Sequence, residues 1–276
     1  MIHLEAKDFF LDSSCAITTE LRNPQEPFPE HSHSFSEIIV VSGGHGCHVL
    51  NDVPMNLSKN YVCFVNRDDR HLFENVKGLY LTNILYDKDK LDLGSDFQRF
   101  VPNGDDNGWF IDNVTLQRVQ EIINNLDKES HDNSVESKIM AKILFQQLIV
   151  ELSRGRIRDC YSLSKDDRVL LALNIIRSNH DKHWDIEAIS HQVELNPRYL
   201  SKMIRRMTGM SYSVYFHYAR TCKALSLLQN TDKTITEVAF DVGYQDSNYF
   251  STKFKQMIGF SPRQVRGGKK LLYSNI

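Results

Sequence analysis

No Cys-x-x-Cys pair occurs in this chain, whose five cysteines (Cys15, Cys47, Cys63, Cys160 and Cys222) are odd in number and scattered. That pattern excludes a disulfide framework and a structural thiolate zinc site. No apolar run approaches the ~20 residues that span a bilayer. The opening residues, MIHLEAKDFF, carry acids where a signal peptide needs a basic start and an apolar stretch, so a cytoplasmic protein with no membrane partner is expected. Three motifs are also absent: the Walker phosphate loop, G-x-G-x-x-G and G-x-S-x-G. Their absence removes the common nucleotide cradles and the α/β-hydrolase nucleophile. What remains is a chain of 276 residues, 41% hydrophobic and 25% charged, the composition of an ordinary globular protein with room for two domains.

The net charge of −2 hides a division. From Lys165 to Ile276 there are 17 Lys and Arg against 10 Asp and Glu, whereas the residues before hold 16 against 25. An acidic first part and a basic last part imply that only the second meets a polyanion.

Up to about residue 112 the chain reads as short strands, such as Glu37–Val41, His48–Leu50, Tyr61–Val65 and Leu79–Leu85. The intervening turn signals are Ser42 to Gly46, Asn51-Asp52, Asn66 to Asp69 and Lys77-Gly78, with Ser42 to Gly46 expected to form a hairpin turn. This pattern predicts an antiparallel sandwich or small barrel. Residues 92–107 are loop-rich. Two helices follow, Asn113 to about Ser130 and Ser134 to Ser153. In the second, Val135, Ile139, Ile143, Leu144, Leu148 and Leu152 keep a helical period, and Met140, Phe145, Ile149 and Val150 widen it past one stripe. A pair apolar on more than one face packs on the sheet and on something else, either a second subunit or another part of the same chain. The fold class is therefore α+β in two domains. Residues 1–153 form the sheet unit with its helical pair, 154–165 a linker, and 166–276 an all-α domain.

Within the last part, Asp185 caps a helix to Val193, and Asn196 with Pro197 opens another that ends at Gly209. A longer helix covers Ser213 to Leu228. Thr234 and Glu237 then have capping-box spacing, Gly243 permits a sharp turn, and Asp246 can cap a helix that Gly259 and Pro262 end. Helix, turn and capped helix thus occur twice, the arrangement that enters a DNA major groove. In the first unit Arg198, Ser201, Lys202 and Arg205 face outward, suited to phosphates and guanine edges. In the second, Asp246, Asn248, Ser251, Thr252 and Lys255 do so, with Asn suited to adenine and a carboxylate to cytosine. Asp246 has two roles open to it, helix cap and base acceptor. A helical module that binds acidic proteins is the alternative use of the same charge.

The repeated elements carry a family resemblance. The spacing of Ala188, Leu200, Gly209, Tyr215, Arg220, VAFDVGYQDSNYFS, Phe254, Gly259 and Ser261-Pro262 resembles the DNA-binding domain of the AraC/XylS transcription regulators. Ile189-Ser190 and Thr221-Cys222 depart from that pattern. The first part resembles the same family's cupin-like β-barrel sensor: HSHSFSEIIVVSGG places His31, His33, Glu37 and Gly44, and RDDRHLFEN places His71 and Asn75. PEHSHSFSEIIVV, HVLNDVP, CFVNRDDRHLF and LTNILY are most similar to the family's L-rhamnose-responsive activators. The resemblance implies a homodimer that binds double-stranded DNA, answers to a small sugar, with L-rhamnose favoured, and works with RNA polymerase.

On a strand, His31, His33 and Glu37 share a face. With His71 they have the donor types of a metal set, as in a metal-dependent cupin enzyme. The favoured reading is instead a polar lining that bonds sugar hydroxyls, with no metal, no cofactor and no catalysis. Histidines satisfied by backbone carbonyls are the third alternative. Arg22 and Asn83 are further candidates for the lining.

Overall fold

The computed structural model describes residues 2–91, 94, 97, 100–102, 107–159, 163–182 and 184–267. Most of the loop-rich stretch, Cys160 and part of the expected linker lie outside these.

Eight strands form one sheet: β1 (Ile2–Leu4), β2 (Ile17–Arg22), β3 (Phe28–His33), β4 (Ser36–Leu50), β5 (Val53–Ser58), β6 (Tyr61–Val65), β7 (His71–Tyr86) and β8 (Gly108–Phe110). The paired strands are antiparallel except β1 with β3, which run parallel. β4 and β7 pair along nearly their whole length, yet their halves take different outer partners. The start of β4 pairs with β6 and its end with β5; the start of β7 pairs with β3 and its end with β2.

The bend between these halves lies where the sequence predicts a hairpin, and the structure corrects that prediction. β4 runs through Ser42 to Gly46 with register shifts between Val41 and Cys47, and Lys77-Gly78 likewise lies inside β7. Gly44 has φ +68°, and a Cβ there would overlap the carbonyl oxygen of Gly78. Turn-type residues here make bulges that fold a long hairpin over on itself. The turn at Asn51-Asp52 is real: both residues have positive φ, 49° and 64°, as a tight two-residue hairpin requires.

α1 (Asn113–Ser130) and α2 (Val135–Arg154) are capped by the side chains of Asp112 and Ser134. They cover the sheet face that presents Ile38, Val40, Val62, Phe64 and Ile84. The inward face of α2 is Ala141, Phe145, Leu148, Ile149 and Leu152, while Val135, Ile139, Met140 and Ile143 are exposed. The start of the expected linker is tied to the sheet unit, because the Ile157 N–H donates to the Phe110 carbonyl at 2.9 Å.

Seven helices follow: α3 (Lys165–Ser178), α4 (Ile186–Gln192), α5 (Pro197–Thr208), α6 (Tyr212–Asn230), α7 (Ile235–Asp241), α8 (Ser247–Ile258) and α9 (Pro262–Arg266). Asp185, Asn196, Thr234 and Asp246 cap α4, α5, α7 and α8, each contributing about 1 kcal/mol. Gly209 and Gly259 end α5 and α8 in left-handed conformations. Pro262, expected to close α8, instead opens α9 at the position where a missing N–H costs nothing. α4–α5 and α7–α8 are the two helix–turn–helix units, and α6 joins them. The first buries Ile189, Leu200 and Ile204. The second buries Val238, Ala239, Phe250, Phe254 and Ile258 against Ala224, Leu225 and Leu228 of α6.

The sheet meets this helical domain directly. Arg177 donates to the Tyr61 hydroxyl at 2.7 Å, and Asn56 donates to the Thr208 carbonyl at 3.4 Å. Cys47 and Val49, on the end of β4, join the hydrophobic cluster of the second unit.

Candidate functional site

A cavity of about 240 Å³ opens inside the sheet unit, lined by Glu20, Arg22, His31, His33, Glu37 and Asn83, with Phe28, Phe35 and Phe73 as its apolar walls. A larger cavity of about 630 Å³ lies where β5 faces α3 and α6. The smaller one holds the converging buried polar groups, and the folding of the sheet explains why. His33 ends β3, Glu37 starts β4 and His71 starts β7, so the bend brings the two halves of the long hairpin face to face. His33 Nε2 and His71 Nε2 each lie 3.7 Å from Glu37 Oε2, beyond hydrogen-bond length. His33 is 1% exposed, Glu37 3% and His71 1%.

The other ring nitrogens are occupied. His33 Nδ1 donates to the Phe35 carbonyl at 2.6 Å, and the Phe35 ring stacks on the imidazole. His71 Nδ1 is 2.9 Å from Nε2 of His48. His31 Nδ1 donates to the Pro29 carbonyl at 3.0 Å. Around the cavity, five buried polar atoms of the described residues are left without a hydrogen-bond partner: His33 Nε2, Glu37 Oε2, His71 Nε2, His48 Nδ1 and Asn83 Oδ1. Each such group costs about 1–3 kcal/mol unless something bonds it.

Burial lowers the pKa of His31, carries His48 down to about 3 and takes His71 well below its usual range. For His33, burial acts downward too, but the Glu37 carboxylate outweighs it and leaves the group above its ordinary value. The pocket therefore offers a neutral imidazole at His31, a more basic one at His33 and the carboxyl groups of Glu20 and Glu37, which together bond hydroxyls in either direction.

Five of the six expected pocket residues line this cavity; His71 stands behind it, its ring centroid 4.0 Å from that of His31. Arg22 lies on β2 and pairs with Glu20. Glu20 and His48 were not expected. Glu20 was within reach of a period-two argument from Arg22. His48 had no such signal, since only the pairing of β4 with β7 brings it to His71.

On the helical domain, Arg198, Lys202, Arg205, Asn248, Thr252 and Lys255 are exposed, and Ser201 and Ser251 are half-buried. Asp246 accepts the Tyr249 N–H at 2.7 Å, so its capping role is realised. The hydroxyls of Ser251 and Thr252 donate to the carbonyls of Ser247 and Asn248 within α8, at 2.8 and 3.0 Å. Their protons are thus committed to the helix, whereas the Asn248 amide, near the start of α8, is exposed and makes no such bond to the helix backbone.

Comparison with known proteins follows the same division. A family profile described as the AraC-like ligand binding domain matches residues 16–149, and a helix-turn-helix domain profile matches residues 189–268. The HTH-type transcriptional activator RhaS of Escherichia fergusonii is 35% identical over 279 residues, 98% of each chain. The chain belongs to the AraC family of transcription regulators.

RhaS of Escherichia coli strain SMS-3-5 is 31% identical to this AraC-family chain, again over 98% of both. Among solved structures, the C-terminal domain of AraT, a response regulator from Geobacillus stearothermophilus, is 33% identical. It covers 40% of this chain and 91% of its own, with a TM-score of 0.37. Its relatives being transcription regulators, the protein is a DNA-binding regulator and not an enzyme, and the metal-dependent cupin enzyme is set aside. Among the described residues, no helix is long and apolar enough to cross a membrane.

Proposed function

We propose that this AraC-family protein is a cytoplasmic transcription activator whose sensor, residues 1–153, binds L-rhamnose or a closely related sugar. Residues 154–165 link it to a DNA-binding domain at 166–276. The observation that carries the sensor reading is the buried cavity with unpartnered imidazole, carboxylate and amide atoms, the lining that a polyol satisfies. The choice of rhamnose rests on the similarity to the RhaS activators. Two sensors pair through the exposed Val135, Ile139, Met140 and Ile143 of α2, an apolar row that a second copy covers. α5 and α8 enter successive major grooves and present the promoter-bound dimer to RNA polymerase.

Strand alternation supplies a route between the two sites. On β4, His48 points to His71 behind the cavity while its neighbours Cys47 and Val49 pack on the second helix–turn–helix unit. A sugar that moves His71 and His48 moves the strand that braces the DNA-binding domain, favouring one arrangement of the domains over another.

The test is a gel shift on DNA upstream of sugar-catabolism genes, with and without L-rhamnose, beside calorimetry of the sugar alone. Rhamnose is expected to release measurable heat and tighten binding. Val49→Ala should keep the heat and lose part of the tightening. Heat with another sugar but none with rhamnose discards the ligand and keeps the class; no shift of any DNA sinks the reading.

Base-reading and phosphate roles separate by substitution. Arg198→Ala should cost about 1–3 kcal/mol on specific DNA and much less on scrambled DNA. Lys255→Ala should weaken both alike and reduce the slope of log affinity against log salt by about one. Fluorescence anisotropy over a salt series reads both, and equal losses for Arg198→Ala on the two DNAs would remove its base-reading role.

A further inference from the structure

The larger cavity, about 630 Å³, has the size of a small-molecule site and lies between the two domains. The sensor contributes Asn51, Asn56 of β5 and Asp69 to its wall; the helical domain contributes Arg177 of α3, His180 and Lys223 of α6. Its charge is opposite to that of the sensor cavity. There, Glu20 and Glu37 face a single arginine, Arg22, which is already paired with Glu20. In the larger cavity the one acid among the described lining residues is Asp69. Its carboxylate already accepts from the Asn51 amide and the Asn66 N–H, both at 2.8 Å.

The cations have no such compensation. Arg177 donates to the Tyr61 hydroxyl, and its guanidinium lies over that ring, 4.5 Å from the centroid. That bond uses one of the five donors of the guanidinium. Among the described residues, neither Arg177 nor Lys223 forms an ion pair. Two positive groups that line one cavity without acidic partners attract an anion, and the guanidinium fork matches phosphate. The rest of the wall suits hydroxyls. Asn56 and Asn174 donate to the carbonyls of Thr208 and Ile157, both at 3.4 Å, and Asn230 donates to the Ser226 carbonyl at 3.0 Å. Each amide is thereby anchored through its nitrogen and keeps its oxygen to accept from a ligand O–H.

We propose that the interdomain cavity is a second effector site, for a phosphorylated sugar or polyol. Arg177 and Lys223 hold the phosphate, and the asparagine amides bond the hydroxyls. A neutral sugar lacks the charge that these cations attract, and a phosphorylated one is repelled by the carboxyl groups of the sensor cavity. The two sites therefore select different chemical forms. Because both domains supply the wall, an occupant here favours the arrangement in which they are docked. The site stands on its own lining, whichever sugar, if any, enters the sensor cavity.

The test is calorimetry of the full chain with glucose 6-phosphate and fructose 1-phosphate, beside glucose, fructose and inorganic phosphate. At least one phosphorylated sugar is expected to bind at one equivalent per chain, about 10-fold or more tighter than inorganic phosphate, and neither parent sugar should displace it. Lys223→Gln should weaken binding about 10-fold and Arg177→Gln about 100-fold, the loss of one and of two charge-assisted hydrogen bonds. Near-UV circular dichroism checks that each variant is folded. Lys223 is half-buried and outside any ion pair of the described residues, so its variant keeps the test decisive if Arg177→Gln unfolds. No saturable heat with either phosphorylated sugar overturns the site. So does equal affinity for inorganic phosphate, or equal binding by the wild type and Lys223→Gln.

Discussion

Replacing Arg220 with alanine lowers the stability of the helical domain by about 2–3 kcal/mol, the cost of losing two hydrogen bonds from a charged, buried donor to partly buried carbonyls. Arg220 is 4% exposed on α6. Its Nε donates to the His180 carbonyl at 2.9 Å and one of its terminal NH₂ groups donates to the Lys182 carbonyl at 3.0 Å. Its guanidinium lies over the rings of Phe216, at 4.3 Å, and Tyr244, at 5.0 Å. The Gly243 turn of the second unit packs on the same point: φ there is +83°, and a Cβ would crowd both the Asp181 carbonyl and the Arg220 guanidinium. One side chain thus joins the loop after α3, the connecting helix and the turn between α7 and α8.

Its loss should lower the urea midpoint and weaken binding to two-half-site DNA by tenfold or more, since the mutual setting of α5 and α8 depends on this junction. Arg220→Lys should not restore either, because a single ammonium lacks the planar fork that reaches both carbonyls. An alanine variant with an unchanged urea midpoint would contradict the account.

Phe254→Ala is expected to cost about 3–5 kcal/mol, the range for deleting a buried aromatic ring that leaves a cavity. Phe254 is fully buried on α8, 5.6 Å from Phe250 between ring centroids. It shares a cluster with Val238, Ala239 and Leu228, distinct from the cluster that holds Leu200 and Ile204 of the first unit. Denaturant unfolding followed by circular dichroism should show the second unit melting ahead of the first, with specific DNA binding lost. Asn248→Ala, at an exposed position on the same helix, should change stability by less than about 0.5 kcal/mol and still reduce base discrimination. If the two variants lost stability equally, α8 would not be divided into a buried and a reading face.

Local rules settled much of this architecture from the sequence. Caps at Asp185, Asn196, Thr234 and Asp246, and the spacing of Phe250, Phe254 and Ile258, act within one or two helical turns, so they are legible without the rest of the chain. The charge division and the two recognition faces are likewise sums over short stretches. Spacing on a strand also put His31 and His33 on one face, but Glu37, expected on the same strand, lies on β4 after a break at Ser34-Phe35 and reaches the cavity from there. Spacing was silent on which of these atoms already had partners, because a hydrogen bond to Phe35 or Pro29 depends on how the strand ends turn.

Non-local pairing decided the remainder. The glycines of Ser42 to Gly46 have the composition of a turn and lie in a bulge, since a bulge and a turn make the same demand for positive φ and only the partner strand distinguishes them. α2 is apolar on two faces, and the sheet chose Phe145, Leu148 and Ile149 while leaving Ile139 and Ile143 outside. His48 reaches His71 because β4 and β7 share a register. The amino-acid order by itself determined the helices, their caps and the faces that can read DNA, because these depend on neighbours a few residues away. The convergence of His33, Glu37 and His71, and the bracing of the second unit by β4, were decided only by the tertiary structure. They depend on folding one long hairpin across itself, which no local pattern encodes.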